Sequence, residues 1–579
     1  MRKIVPAIVV AAALALSCGR TLRDGDYTLT VLSTNDVHGT WFDSTYTGAG
    51  VRKSLFAVNS YVDSVRLADG PENVLLIDAG DCLQGDNAAY YYNYVDTLTE
   101  HLFSRIVGYM KYDAVIAGNH DIETGHPVYD RVAAELKREG VPFLAGNVVR
   151  TDGNGSYFPL YTMVRKAGLR VAILGYENAN IKAWLGEEVW SGMDFKRIAD
   201  VIQADVDMVR AKEHPDVVVA ALHSATGTGD GTVLEAEALD VLNSVGGIDF
   251  LICGHDHRPY VETRDTCALL NSGSHARFLA HGKLHLKVEH GAVVEKSFES
   301  DLIPIDATKA DPAMRAAFRK DFEAVRDFTL REVGVLTDDI RTRDSFGGQS
   351  AYTNVLHMLN LQNGFAEISL AAPLTFNKTV KAGTLVFNDL FTIYPFENQL
   401  YVISMTGEEV RRYLEASYDN WVDVPGSNHA LKIRQGDNPR TGERRWSFVG
   451  TSYNFDSAAG INYDVDLTRP FGSRIVIKSM ADGTPFSLEK TYKVGLTSYR
   501  ASGGGGLLKA AGVDSDMIEE RTLARYPEIR NILYDYLMEN GTLEPYAYGA
   551  ILGSWQFVPE KARIQIQKDM DLLFPSNRN

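Results

Sequence analysis

Short apolar runs alternate with longer amphipathic segments from residue 27 to about residue 304, and this rhythm constrains the fold more than any other feature of the chain. Runs 28–32, 73–77, 114–116, 171–174, 217–221 and 250–252 are nearly all aliphatic, as in strands buried on both faces. Segments 51–67, 98–110, 128–139 and 199–210 between them carry helical spacing. Strands alternating with helices predict an α/β domain with mostly parallel strands. In such sheets the ligand site lies beyond the carboxyl ends of the strands.

The chemistry-bearing residues fall at those ends. They are Asn35-Asp36-Val37-His38, Asp78-Ala79-Gly80-Asp81, Gly118-Asn119-His120-Asp121-Ile122-Glu123, Leu222-His223-Ser224 and Gly254-His255-Asp256-His257. Singly, each reads as well as a cap, a surface pair or a structural histidine. Their shared location points to one site. Carboxylate, imidazole and amide oxygen are the ligand types of a hydrolytic dinuclear metal site. Side chains two apart on an extended segment share a side. Asp36 with His38, and His255 with His257, are therefore each expected to grip one ion. Glycines beside Asp81, Asn119 and His255 are expected to let the backbone come close to the ions. His101, His126, His214, His281, His285, His290 and His429 lie in no motif and read as surface or structural residues.

Residues 305–332 read as a charged helical bridge, and 333–579 as a second domain rich in Tyr, Phe and Gly. That domain mixes helices at 352–361 and 407–417 with strands at 400–405 and 461–467. The chain has 58 basic and 75 acidic residues, a net charge of −17. Such a surface argues against a nucleic-acid polymer as partner. It leaves room for a small nucleotide held by cations. A basic start and the apolar run 4–16, too short to span a bilayer, fit an export signal over 1–17. Ser17-Cys18 resembles a bacterial lipoprotein cleavage site, departing from it at Ala15; a soluble-export cut nearby is the other reading. The mature chain is thus expected in the periplasm or lipid-anchored to the cell envelope. It would touch a membrane only through Cys18, and no protein partner is implied. Cys82, Cys253 and Cys267 read as buried thiols, with a Cys253–Cys267 bridge as the alternative.

In this order the five motifs resemble the calcineurin-like metallophosphoesterases, and the length and second domain resemble their bacterial periplasmic nucleotidase branch. The resemblance covers nearly all of the mature chain. It implies an α/β (α+β) metallophosphoesterase sandwich over 18–304, a helical linker over 305–332 and a second α/β, nucleotide-binding domain of 5'-nucleotidase type over 333–579. It implies two divalent ions, drawn from Mn, Zn, Co or Fe. Asp36, His38 and His257 would hold the first, Asn119, His223 and His255 the second, and Asp81 would bridge them. His120 would stabilise charge on the phosphoryl group and leaving oxygen, with Glu123 as its partner where 5'-nucleotidases carry an aspartate. The implied reaction is two-metal hydrolysis, an activated water attacking phosphorus in line with the leaving oxygen.

The second domain bears on the substrate. The Asn-x-Gly-Gly-x-Arg stretch of 5'-nucleotidases has no counterpart in Leu370-Ala371-Ala372-Pro373-Leu374-Thr375-Phe376. That run is closer to the family's 2',3'-cyclic-nucleotide 2'-phosphodiesterase/3'-nucleotidases. So are Tyr453-Asn454-Phe455-Asp456, Gly460-Ile461-Asn462-Tyr463 and Ser498-Tyr499-Arg500-Ala501 with the glycines after it. Gly505 stands where 5'-nucleotidases often carry a ribose-binding aspartate. The favoured substrate is therefore a 2',3'-cyclic or 3'-nucleotide, the alternatives being a 5'-nucleotide, another small phosphate ester and a non-catalytic surface lipoprotein. Tyr499 on one side and Phe455 or Tyr453 on the other would clamp the base, with core packing as the competing reading of Phe455.

Overall fold

The computed structural model describes residues 22–48, 50–437, 444–514 and 517–575. The export segment and Cys18 lie outside them. The first domain is built on two six-stranded sheets. In one, Gly25–Thr34, Val74–Asp78, Ala114–Ile116 and Phe143–Leu144 run parallel as neighbours in that order. In the other, Ala268–Ser272, Phe250–Cys253, Val217–Leu222 and Leu169–Tyr176 do the same.

These inner strands are buried on both faces. Leu29, Val31, Leu75 and Ile77 meet Val171, Ile173, Val219 and Phe250 in the core between the sheets. Outside, Leu32 and Leu76 pack with Val58, Ile106 and Val132 from three helices. Val218, Ala220 and Leu222 pack under Ile198, Ile202 and Val206 of the helix Ile198–Glu213. Burial on two sides is why the sequence shows continuous apolar runs rather than alternation.

The sheets end in antiparallel edges that the sequence reading does not contain. Phe278–Glu289 and Ala292–Pro304 form a hairpin joined to Gly25–Thr34. Tyr161–Lys166 and Pro259–Thr263 flank the second sheet in the same sense. Ala292–Pro304 has no fully buried residue, so it leaves no apolar signature.

The bridge is two helices, Pro312–Ala317 and Arg319–Thr329, broken where Phe318 leaves helical geometry. Phe318 and Val325 sit in the core of the first domain with Phe56, while Phe328 joins Phe387 and Leu390 in the second. The second domain is organised on a mixed five-stranded sheet in the order Ser457–Ala459, Ile368–Ala371, Thr491–Thr497, Gln399–Thr406, Thr522–Glu528. Its helix Gly407–Trp421 starts at a reciprocal cap: Thr406 Oγ1 accepts from Glu409 N, and Glu409 accepts from Thr406 N at 2.8 Å. Cys82, Cys253 and Cys267 are buried free thiols, so the alternative bridge does not form. Among the described residues no helix is long and apolar enough to cross a membrane.

Candidate active site

All five polar clusters meet at the carboxyl ends of the parallel strands. Asp36 and His38 follow Gly25–Thr34, Asp81 follows Val74–Asp78, and His223 follows Val217–Leu222. His255 and His257 follow Phe250–Cys253. Asn119, His120 and Glu123 come from the short helix Asn119–Ile122 and its end, after Ala114–Ile116.

Two trios emerge, Asp36–His38–His257 and Asp81–His223–His255, with the donor atoms of each within 4.8 Å of one another. In the first, His38 Nε2 faces His257 Nε2 at 2.9 Å, and His257 Nε2 lies 3.6 Å from Asp36 Oδ1. In the second, His223 Nε2 lies 3.1 Å from Asp81 Oδ2. Asn119 Oδ1 adds to it, 3.1 Å from His223 Nε2 and 2.8 Å from His255 Nδ1. Inward-facing imidazole nitrogens and carboxylate oxygens converging on common points suit divalent cations. Among the described residues His38 Nδ1 is buried without a hydrogen-bond partner.

The backbone reaches this arrangement differently from the extended segments expected. Asp36, His38, Asp81, His255 and His257 all have positive φ, between 49° and 74°. Non-glycine residues in that region carry strain of about 1–3 kcal/mol each, which clusters at functional sites. The turns send His255 and His257 to different trios, so His-x-His does not grip one ion. The three flanking glycines make room for ligand side chains. A Cβ on Gly118 would overlap Asp81 Oδ1; on Gly80 it would come 2.7 Å from His223 Nδ1, and on Gly254 2.9 Å from Asp36 Oδ2.

Burial opposes charge throughout the cluster, and neighbours decide the outcome. Burial pushes Asp36 up to about 8. It disfavours ionisation of Asp81 too, but His223 and His120 outweigh it and hold Asp81 well below the usual carboxylate range. Burial lowers His255 to about 3. It also opposes charge on His120, yet Asp81 and Glu123 raise His120 to about 10. Glu123 reaches His120 Nδ1 at 2.5 Å despite its extra methylene.

Several neighbours are given no role of their own in the sequence reading. Asp121 accepts from the backbone N–H groups of Asp81, Cys82, Leu83 and Gly118 at 2.8–3.0 Å, and so sets the Asp81 loop. Glu177 ends the Leu169–Tyr176 strand beside His223; it is fully buried, and burial pushes it well above the usual range. His275, with φ 55°, lies with its ring 5.3 Å from that of His38. Trp184 lies almost flat on His255, with 5.1 Å between ring centroids and 19° between planes.

Tyr453 and Tyr499 are 42% and 38% exposed, with rings 6.4 Å apart and nearly perpendicular. Phe455 is different. It is fully buried, stacked on Trp421 at 5.6 Å and packed edge-on to Phe448. The structure therefore places Phe455 in the core of the second domain, and of the two partners considered for Tyr499 it leaves Tyr453 facing solvent. The short helix Ser498–Ala501, which carries Tyr499, packs against Ile181–Trp184. The helix that carries Tyr499 is thus joined to the metal-competent cluster through the helix Ile181–Trp184.

Residues 29–259 match the family model for calcineurin-like phosphoesterases, and residues 332–512 match that for the 5'-nucleotidase C-terminal domain. The trifunctional nucleotide phosphoesterase protein YfkN of Bacillus subtilis is 23% identical over 92% of this chain, which spans only 39% of that longer relative. A 2',3'-cyclic-nucleotide 2'-phosphodiesterase/3'-nucleotidase of Haemophilus influenzae is 25% identical over 95% of this chain and 91% of its own. The crystal structure of a candidate 5'-nucleotidase from Staphylococcus aureus superposes with a TM-score of 0.74 at 20% identity. It covers 92% of this chain and 99% of that one, and so shares the fold. With that fold, the two family matches and the clustered ligands, the chain is a metal-dependent phosphoric ester hydrolase that joins a calcineurin-like phosphoesterase domain to a 5'-nucleotidase C-terminal domain.

Proposed function

We propose that this enzyme hydrolyses nucleotide phosphate esters and prefers 2',3'-cyclic and 3'-nucleotides to 5'-nucleotides. One observation carries the preference. Beside the exposed Tyr453–Tyr499 pair, a Cβ on Gly505 would overlap Asn454 Oδ1, with Arg500 Nη1 at 2.5 Å. An acidic side chain has no room there. The pocket therefore lacks the ribose-binding carboxylate that 5'-nucleotidases often carry at this position. Stacking on Tyr499 and Tyr453, worth about 1–3 kcal/mol per base, suits any base.

In this reading Asp36, His38 and His257 would hold one divalent ion and Asn119, His223 and His255 the other, with Asp81 shared between them. When bound, the ions lower the pKa of a water and polarise the phosphoryl oxygens. His120, kept cationic by Asp81 and Glu123, directs its charge at the phosphoryl group and leaving oxygen. Its Nδ1 is held by Glu123, so Nε2 serves the substrate. The basic, apolar start ahead of Cys18 supports an exported enzyme, periplasmic or lipid-anchored.

The test is phosphate release with added Mn²⁺ from 2',3'-cyclic AMP, 3'-AMP and 5'-AMP, the first coupled to excess alkaline phosphatase. Dominant turnover of the first two is expected. Dominant turnover of 5'-AMP would overturn the preference, and silence with all three would overturn the nucleotidase reading.

A further inference from the structure

We propose that Arg500 is a positioning residue for substrate selection. Its guanidinium pre-forms the nucleoside pocket by holding the Tyr453 segment, the Tyr499 helix and the glycine run at a fixed spacing. The inference rests on the nucleoside-pocket reading above.

Arg500 is 3% exposed, and its fork is fully engaged. Nε and Nη2 donate to the two carboxylate oxygens of Asp456 at 3.1 and 2.5 Å. Nη2 also donates to the carbonyl of Tyr453 at 2.5 Å. Nη1 donates to Asn454 Oδ1 at 2.8 Å and to the carbonyl of Gly504 at 2.9 Å. The guanidinium carbon lies 5.1 Å from the centroid of the Tyr499 ring. One planar group therefore touches the backbone of one aromatic, the face of the other, and the loop between them and the core.

Asp456 is anchored in turn. Tyr413 Oη donates to its Oδ2 at 2.6 Å, and Ser417 Oγ donates to its carbonyl at 2.7 Å; both come from the helix Gly407–Trp421. A buried ion pair is weak grounds for stability, since well-packed apolar residues often serve as well. What apolar residues cannot supply is five directed donors in one plane. The geometry favours a role in shape. A pocket formed in advance spares the bound state the cost of ordering two aromatic segments.

The test compares the wild-type holoenzyme with Arg500→Lys, which keeps the charge and loses the fork. Kinetics are read on 2',3'-cyclic AMP and on bis(p-nitrophenyl) phosphate, which carries no base or ribose, together with inhibition of the aryl ester reaction by adenosine. The variant should raise KM for the nucleotide about tenfold, with kcat within about twofold, and raise the inhibition constant of adenosine by a similar factor. KM for the aryl ester should stay in place. Parallel losses on both substrates, or no change on either, would overturn the inference. Should Arg500→Lys fail to fold, Asn454→Ala removes one contact at a half-buried position. It should shift the nucleotide KM and adenosine inhibition in the same direction by about threefold, and no shift there would equally overturn the inference. If adenosine leaves the wild-type aryl ester reaction untouched, the nucleoside pocket itself is refuted, which is seen before any variant is made.

Discussion

At the residue scale, the proposed chemistry turns on His120. Asp81 and Glu123, the latter at 2.5 Å, favour its charged form against the cost of burial. His120→Ala should lower kcat on 3'-AMP by about 10²–10³ with a small change in KM. Glu123→Gln keeps a hydrogen-bond partner without its charge, and should give a smaller loss in the same direction; steady-state kinetics on the two variants check both. The seven proposed ligands were visible from sequence because each follows an apolar run. Glu177 and His275 also follow short apolar runs, at Leu169–Tyr176 and Ala268–Ser272, but neither is part of a recognisable motif. Trp184 left no signal, because nothing in the local sequence places its ring on His255, 71 positions further on.

At the scale of elements, legibility follows burial. The inner strands read clearly because both faces are covered, as with Val217–Leu222, where every residue is buried. Ala292–Pro304, with no fully buried residue, was invisible. The bridge read as one helix because its composition is helical throughout, yet the chain breaks at Phe318 so that Phe318 and Phe328 can enter different cores. Phe455 was left between the base clamp and the core for a related reason. In a segment of alternating aromatics, sequence cannot say which ring faces inward, and here it is Phe455, against Trp421. Phe455→Ala should therefore destabilise the second domain by about 3–5 kcal/mol in urea unfolding. Tyr453→Ala, at an exposed ring, should cost little stability.

At the scale of the whole molecule, the two domains meet through Arg530 and a set of acids. Arg530 is fully buried, donates to Glu397 at 2.7 Å within the second domain, and lies 5.3 Å from the centroid of the Tyr90 ring of the first. Burial, then repulsion from Glu397 and Glu123 against the attraction of Arg530, pushes Glu528 up to about 8 from an ordinary 4.5. The folded protein thus keeps a proton that the unfolded chain releases across that window. The stability this provides is full below about pH 4.5 and is lost as pH rises toward 8. The melting temperature should fall between pH 5 and pH 8, and Glu528→Gln should flatten that fall. Differential scanning calorimetry at a series of pH values decides it.

The flat contact between Trp184 and His255 makes the protein its own optical reporter. An indole 5.1 Å from His255, a proposed metal ligand, lies within quenching range of any open-shell ion that the imidazole would hold. The same helix packs against Ser498–Ala501, so the emission should also respond if a nucleoside fills the proposed pocket there. Titration of the metal-free protein with Mn²⁺ or Co²⁺ should dim its tryptophan fluorescence, and Trp184→Phe should remove most of that change. Metal loading and substrate capture would then be read as separate steps in one cuvette, without waiting for turnover.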